Sequence, residues 1–516
     1  MEDIDRNPKR DFFEPFYGWN PAKIAQLVAT LNYAKGMNAY GQDFMVPLLA
    51  ATENFAKVEE VRFWERPFHE NFQAYSELLS FNYNLLSKYN QGILETLGQY
   101  GSHELGRLLS AWHATIFATE GEKLEDYFAS QDRMLRRVLE EYPEAIARIE
   151  PEYGFHFERH PKSLIAETDR FFLRQVNPSE EGVETDNGMK PIIIVPPFVL
   201  GANILSFLPK EQKSYAHCFA NKGIPTYIRI MKDIDATIAV QTMSLEDDAR
   251  DTKYFCEQIK ARHGRKVTLN GYCQGGFSSV CNILSGKLDG LVDALITCVA
   301  PMDGTRSTGL GNFLRQLPDQ FNDLVYGSKM LASGNKVASG DLMGWVYKLK
   351  SMDDSGPLVA FVRDIMMLKE KPGSRSSINK TVLALNYWLQ NERSDLPLSV
   401  TELSYLSYNN PVAEDGTLPI TMFGEKLNFH AMKEKNIQWL ICYGEQDDLV
   451  EKEVALAPLD FIDVEVTPFP KGHVAIATSW SHPESGCALD TVFGEQSYRG
   501  PVLFHLEITE DDGSVA

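Results

Sequence analysis

No apolar run in this chain is long enough to cross a bilayer. The longest, "PIIIVPPFVLG" (191–201) and "DALITCVAP" (293–301), reach about half a membrane span and carry prolines. Nor is there a block of lysines or arginines to offset the acids: 50 Lys+Arg stand against 71 Asp+Glu, a formal charge of −21. A field of that sign repels phosphate backbones and anionic lipid, which argues against a nucleic-acid partner. The seven cysteines, at 218, 256, 273, 281, 298, 442 and 487, are odd in number and scattered. Without a Cys-x-x-Cys spacing or a paired histidine tract they support neither a metal site nor a disulfide framework. The opening "MEDIDRNPKRDFFEP" lacks an apolar core and does not read as a signal peptide. Internal repeats and low-complexity tracts are also missing. Together these absences point to a cytoplasmic protein with no transmembrane segment.

What is present is an ordinary globular composition, 44% hydrophobic over 516 residues, enough for two or three structural units. Residues 1 to about 165 lack regular strand signals. Ile24, Leu27, Val28 and Leu31 fall at helical spacing, as do Leu135, Val138, Leu139 and Tyr142, and both stripes are read as core faces. The helical region is assigned to 1–176, followed by the polar, acidic loop "NPSEEGVETDNGMK" (177–190). Short β-branched runs then begin: "PIIIVPP", "TYIRIM" (226–231), "KVTLN" (266–270), "DALITCVAP", "IQWLICYG" (437–444) and "VEVTPFP" (464–470). Near-continuous apolar strands alternating with stretches of helical length predict a mostly parallel sheet flanked by helices. The rhythm breaks for more than a hundred residues, so the core is assigned to 190–306 and 426–516, with an inserted cap over 307–425.

"VTLNGYCQGGFSSVCNILSGK" (267–287) runs from strand to helix through Gly271, Cys273, Gly275 and Gly276. Strand, Gly-x-nucleophile-x-Gly, helix is the nucleophile elbow of α/β-hydrolases. The bend holds the nucleophile in a strained conformation, and its neighbours must lack Cβ atoms. The helix start favours a thiolate at Cys273, and the Gln274 amide is placed to donate to an oxyanion. In this fold the acid follows the nucleophile and the histidine comes last. "ICYGEQDDLV" supplies Asp447 just past a strand end, with Asp448 as a neighbouring competitor, and "VEVTPFPKGHVA" supplies His473. The second oxyanion donor is expected after "PIIIVPP", from Phe198 or Val199. A cysteine here exchanges one thioester for another without a large energetic step, so acyl transfer is preferred over hydrolysis.

These segments resemble the polyhydroxyalkanoate synthases. "GYCQGG" looks like that family's lipase-like box with cysteine in place of serine, and "IVPPFVLGANILSFLP" is similar to its early strand and following loop. "APMDGTRSTGLGNF", "LNYWLQNERSDLP", "GEQDDLV" and "KGHVA" extend the likeness over roughly 165–480. The resemblance implies an α/β-hydrolase fold in which Cys273 carries the acyl chain, His473 is the base, and Asp447 orients His473 or helps activate the incoming hydroxyl. It implies that Trp388 belongs to the cap, at a substrate tunnel or dimer surface, against the alternative of a packing aromatic. It further implies an (R)-3-hydroxyacyl-CoA substrate, with CoA part of the substrate and no separate cofactor, a polyester product, a homodimer, and association with polymer granules. The chain departs from the family at Met231-Lys232-Asp233, at "TSWSHPESG" after His473, and at Glu451, where a proline is usual. The departures leave open a thioesterase or single-turn acyltransferase on the same Cys-His-Asp triad.

Overall fold

The β-branched runs assemble into one eight-stranded sheet. Its strands are β1 (Leu164–Glu167), β2 (Phe171–Val176), β3 (Ile192–Val195), β4 (Thr226–Met231), β5 (Val267–Tyr272), β6 (Val292–Cys298), β7 (Gln438–Gly444) and β8 (Glu465–Phe469). The order across the sheet is β1-β2-β4-β3-β5-β6-β7-β8. From β4 to β8 all pairs are parallel, while β1 and β2 are antiparallel to each other and β2 is antiparallel to β4. β3 and β5 are buried along their whole length, as strands covered on both faces must be. This is a computed structural model, and it describes residues 19–317, 325–369, 378–489 and 500–506. The charged N-terminal stretch read above lies outside the described residues.

β1 and β2 fall inside the stretch 1–176 that was expected to be helical, and the difference has a clear cause. In β2, buried Phe171, Leu173 and Val176 alternate with half-buried Phe172, Arg174 and Gln175. An antiparallel strand with one wetter face carries no continuous apolar run, which was the signal used for the others.

The chain divides into two units: residues 1–148 with 344–383, and residues 149–343 with 384–516. The expected cap, 307–425, is therefore not one body, because its middle third clusters with the N-terminal helices. The remainder stays with the sheet. It includes the helix Leu398–Asn409 and a small three-stranded sheet formed by Ser328–Met330, Lys336–Ala338 and Leu396–Pro397.

The N-terminal unit is built on two long helices, Trp19–Glu65 and Phe68–Ile116, joined by a short turn. Leu135, Val138 and Tyr142 are buried in it, as their spacing suggested, beside Phe361, Val362 and Ile365 of the helix Pro357–Leu368. The first stripe behaves differently. Ile24, Leu27 and Leu31 are exposed, and the buried face of their helix is Ala22, Ala29 and Gly36 instead. Small residues seven apart let another helix approach closely: a Cβ on Gly36 would lie 2.3 Å from the Phe361 ring. Size, not hydrophobicity, decided which side packs.

Candidate active site

The bend at Cys273 has the geometry its glycines require. Cys273 sits at φ +52°, ψ −122°, and the helix Gln274–Leu284 follows directly. Its amide donates to the Cys298 carbonyl at 2.8 Å, and its carbonyl accepts from the Gly276 N–H at 2.9 Å. A Cβ on Gly271 would lie 2.3 Å from Gly276 Cα, and one on Gly276 would lie 2.6 Å from Ala300 Cβ. At Gly275 the clash is with backbone, 2.3 Å from the Val195 carbonyl oxygen and 2.4 Å from that of Pro196. The three glycines thus let the helix start press against β3, β5 and the segment after β6.

Asp447 and His473 come together beside this bend. Gly444 ends β7, and a Cβ there would lie 2.4 Å from the Lys471 carbonyl oxygen, so the loops after β7 and β8 touch. Asp447 is buried; its Oδ1 accepts from the Leu449 and Val450 amides at 2.9 and 3.0 Å. Its Oδ2 is 2.8 Å from His473 Nδ1. Asp448 points to solvent, which separates the two candidate acids. Cys273 lies close enough to His473 to act on its charge. The His473 carbonyl accepts from the Tyr272 hydroxyl at 2.7 Å, a support that the sequence reading missed although Tyr272 directly precedes Cys273.

Burial disfavours an imidazolium at His473, but Asp447, by charge and by hydrogen bond, and Cys273, by charge, outweigh it. The result is a histidine well above its ordinary value of 6.5. Removing the Asp447 charge lowers that value, so the imidazolium loses ground to neutral imidazole. Asp447→Asn is therefore expected to move the His473 imidazole titration to lower pH, read from the ring-proton shifts by NMR. A titration unchanged from wild type would show that the carboxylate does not set the charge of this histidine.

Gln274 and Val199 also meet, though not as two free donors. The Gln274 amide is the first N–H of its helix and has no partner within it. The Val199 amide donates at 3.2 Å to Gln274 Oε1, while Gln274 Nε2 donates at 3.1 Å to Ser404 Oγ on the helix Leu398–Asn409. The Val199 N–H can therefore serve an acyl oxygen only after the Gln274 carboxamide has moved aside. Phe198 is buried, its ring 5.6 Å from the Arg229 guanidinium. Arg229 in turn pairs with Asp248 at 2.6 Å, both buried, and Asp248 accepts from Asn282 Nδ2 of the elbow helix at 2.7 Å. That chain ties the elbow helix to the loop after β3.

Trp388, on the helix Lys380–Asn391, packs against the same loop. It is buried, and its indole N–H donates to the Leu200 carbonyl at 3.2 Å. Beside it, Asn203 Nδ2 donates to Glu392 Oε1 at 2.8 Å. Returning chain from the insertion thus fastens the loop that carries Phe198 and Val199. Glu451 accepts from the amides of Thr308 and Gly309 at 3.0 and 2.7 Å, holding the start of the insertion against the loop after β7. A cavity of about 330 Å³ opens between the loops after β3 and β4, lined in part by Pro197, Phe198, Met231, Lys232, Asp233 and Arg393. Among the described residues, no cluster of three His, Cys, Asp or Glu side chains is placed to hold a metal ion, and no helix is long and apolar enough to cross a membrane.

No protein-family model matches the chain, and no curated protein matches it. Similar solved structures include a carboxylesterase of the ammonia-oxidizing thaumarchaeon Nitrososphaera gargenis, at 11% identity and a TM-score of 0.36, covering 61% of this chain and 92% of the other. A meta-cleavage product hydrolase from Pseudomonas fluorescens IP01 is similar at 12% identity and a TM-score of 0.33, with 63% and 92% covered. A bromoperoxidase from Bacillus anthracis is similar at 14% identity and 0.33, with 61% and 94% covered. The strand order, the left-handed cysteine between β5 and its helix, and an acid and a histidine after β7 and β8 are what make residues 164–481 an α/β-hydrolase fold with an insertion after β6.

Proposed function

We propose that this protein is a polyhydroxyalkanoate synthase, an acyltransferase that polymerises (R)-3-hydroxyacyl-CoA through a covalent acyl-Cys273. The observation that carries the reading is the hydrogen-bonded Asp447–His473 pair beside a cysteine on a nucleophile elbow. The substrate class comes from the resemblance of "GYCQGG", "LNYWLQNERSDLP" and "GEQDDLV" to that family.

In the first step the Cys273 thiolate attacks the thioester carbonyl carbon, with negative charge developing on the carbonyl oxygen near the Gln274 amide. The carbon–sulfur bond to CoA breaks, and the imidazolium of His473 gives its proton to the departing CoA thiolate. In the second step His473, now neutral, takes the proton from the 3-hydroxyl of another acyl unit. That oxygen attacks the acyl-Cys273 carbonyl, forms the ester and releases the cysteine sulfur. Asp447 holds the imidazole tautomer throughout and stabilises its charged form. The resemblance also suggests a granule surface as the place where an insoluble product accumulates.

Incubating the purified chain with (R)-3-hydroxybutyryl-CoA should release CoA and accumulate insoluble polyester, with acyl chains of several units trapped on Cys273. A single-turn acyltransferase or thioesterase is the second reading, favoured by Met231, Lys232 and Asp233 lining the cavity beside the oxyanion loop where the family has other residues. Stoichiometric free hydroxy acid with single units on Cys273 would select it and reject polymerisation.

A further inference from the structure

Val199 has one amide hydrogen, and it is already taken. The acceptor is Gln274 Oε1 at 3.2 Å, and Gln274 Nε2 donates in turn to Ser404 Oγ at 3.1 Å. Val199 is buried, whereas Gln274 and Ser404 are only half-buried. The two ends of this bridge differ in freedom. Ser404 stands on the helix Leu398–Asn409, which is fastened on either side of it. Leu403 is buried, Ser407 Oγ donates to the Pro301 carbonyl at 2.9 Å, and the Tyr408 hydroxyl donates to the Leu449 carbonyl at 2.8 Å. The Gln274 carboxamide needs only side-chain torsions to leave, and both its hydrogen bonds are neutral and at the long end of the usual range.

A carboxamide oxygen is the same kind of acceptor as the carbonyl oxygen of a thioester, and one N–H serves one of them at a time. We propose that the Gln274 carboxamide is a built-in stand-in for the acyl oxygen, and that Ser404 is the positioning residue that holds it on the Val199 amide. This role rests on the acyl-transfer reading and adds a control to it. A thioester carbonyl is a weaker acceptor than an amide oxygen, so bound substrate leaves the bridge in place. The oxyanion that develops as Cys273 attacks is charged, accepts about twice as strongly as a neutral group, and takes the amide over. Val199 is thereby withheld from the ground state and released to the transition state. A carboxamide that only satisfied a buried N–H would give Ser404 no influence on the chemistry.

Gln274→Met keeps the length of the side chain and removes both hydrogen bonds. Its test is single-turnover acylation of Cys273 by (R)-3-hydroxybutyryl-CoA, followed by intact mass. The variant should lower the half-saturating thioester concentration and raise the second-order rate constant about two- to tenfold, the worth of one neutral hydrogen bond. Ser404→Ala should move both in the same direction by less, and Ser404→Thr, which keeps the hydroxyl, should restore the wild-type values. Ser404→Ala added to Gln274→Met should change nothing further, because the serine acts only through the carboxamide. Deuterium uptake at the Val199 amide should quicken in Gln274→Met whether or not substrate is turned over. Unchanged uptake overturns the bridge itself, and quicker uptake with acylation unchanged or slower overturns its role. Quicker uptake in a chain whose Cys273 no thioester acylates keeps the bridge but overturns the acyl-transfer reading, and the role with it.

Discussion

Cys273→Ala is expected to cut CoA release from a hydroxyacyl thioester by about 10⁴-fold or more, because it removes the atom proposed to form the covalent intermediate. The substitution should leave folding intact. Cys273 already stands at φ +52°, its amide and carbonyl are satisfied by backbone, and alanine demands nothing more of the bend. Thermal unfolding within a few degrees of wild type would separate lost chemistry from lost structure. Cys273→Ser keeps a nucleophile at the same backbone position but one far harder to ionise, so slow residual turnover is expected from it. The decisive measurement is CoA release alongside intact-mass detection of acyl groups. Alanine at position 273 still releasing CoA at a tenth of the wild-type rate would end the covalent reading, whatever the histidine does.

Gly275→Ala should be the most damaging single methyl in the elbow. Its Cβ would meet two backbone carbonyl oxygens, Val195 and Pro196, at 2.3 and 2.4 Å, and neither can rotate away. Relief requires moving the elbow helix or the end of β3, both fully packed. Overpacking of this kind typically costs ~1–3 kcal/mol, and a clash with rigid backbone places it at or above ~3 kcal/mol. Displacing β3 also shifts the loop carrying Phe198 and Val199, so turnover should fall further than the population of folded protein. Gly41→Ala is the control: nothing lies within 4 Å of its added methyl, in a helix interior where alanine gains up to about 1 kcal/mol over glycine. Equal melting temperatures for Gly275→Ala and wild type would mean that the tight helix–strand contact does not exist in solution.

The position of Ser404 shows how far local reading reaches. Gln274 was expected to supply a backbone donor, and nothing near it in the chain indicates that its side chain occupies the Val199 amide and reaches a hydroxyl 130 residues away. Asp447 and Asp448 were likewise distinguishable only by spacing from Gly444. The choice was made by backbone amides at 449 and 450 and by the direction of the chain after β8. The exposed Ile24–Leu31 stripe is the opposite case, a strong periodic signal whose expected partner does not lie within the chain as described.

What the primary structure determined alone is the bend and the order of chemistry along it. A left-handed residue between a strand and a helix needs small neighbours within four positions, and Gly271, Gly275 and Gly276 declare that need locally. The six strands from β3 to β8 were equally legible, five of them because burial on both faces writes itself as a largely continuous apolar run. Tertiary structure decided the rest: which carboxylate meets the histidine, what occupies the Val199 amide, how the insertion divides, and which side of each long helix is buried. Those outcomes depend on side-chain size and on segments hundreds of residues apart, and a short window of sequence holds no record of either.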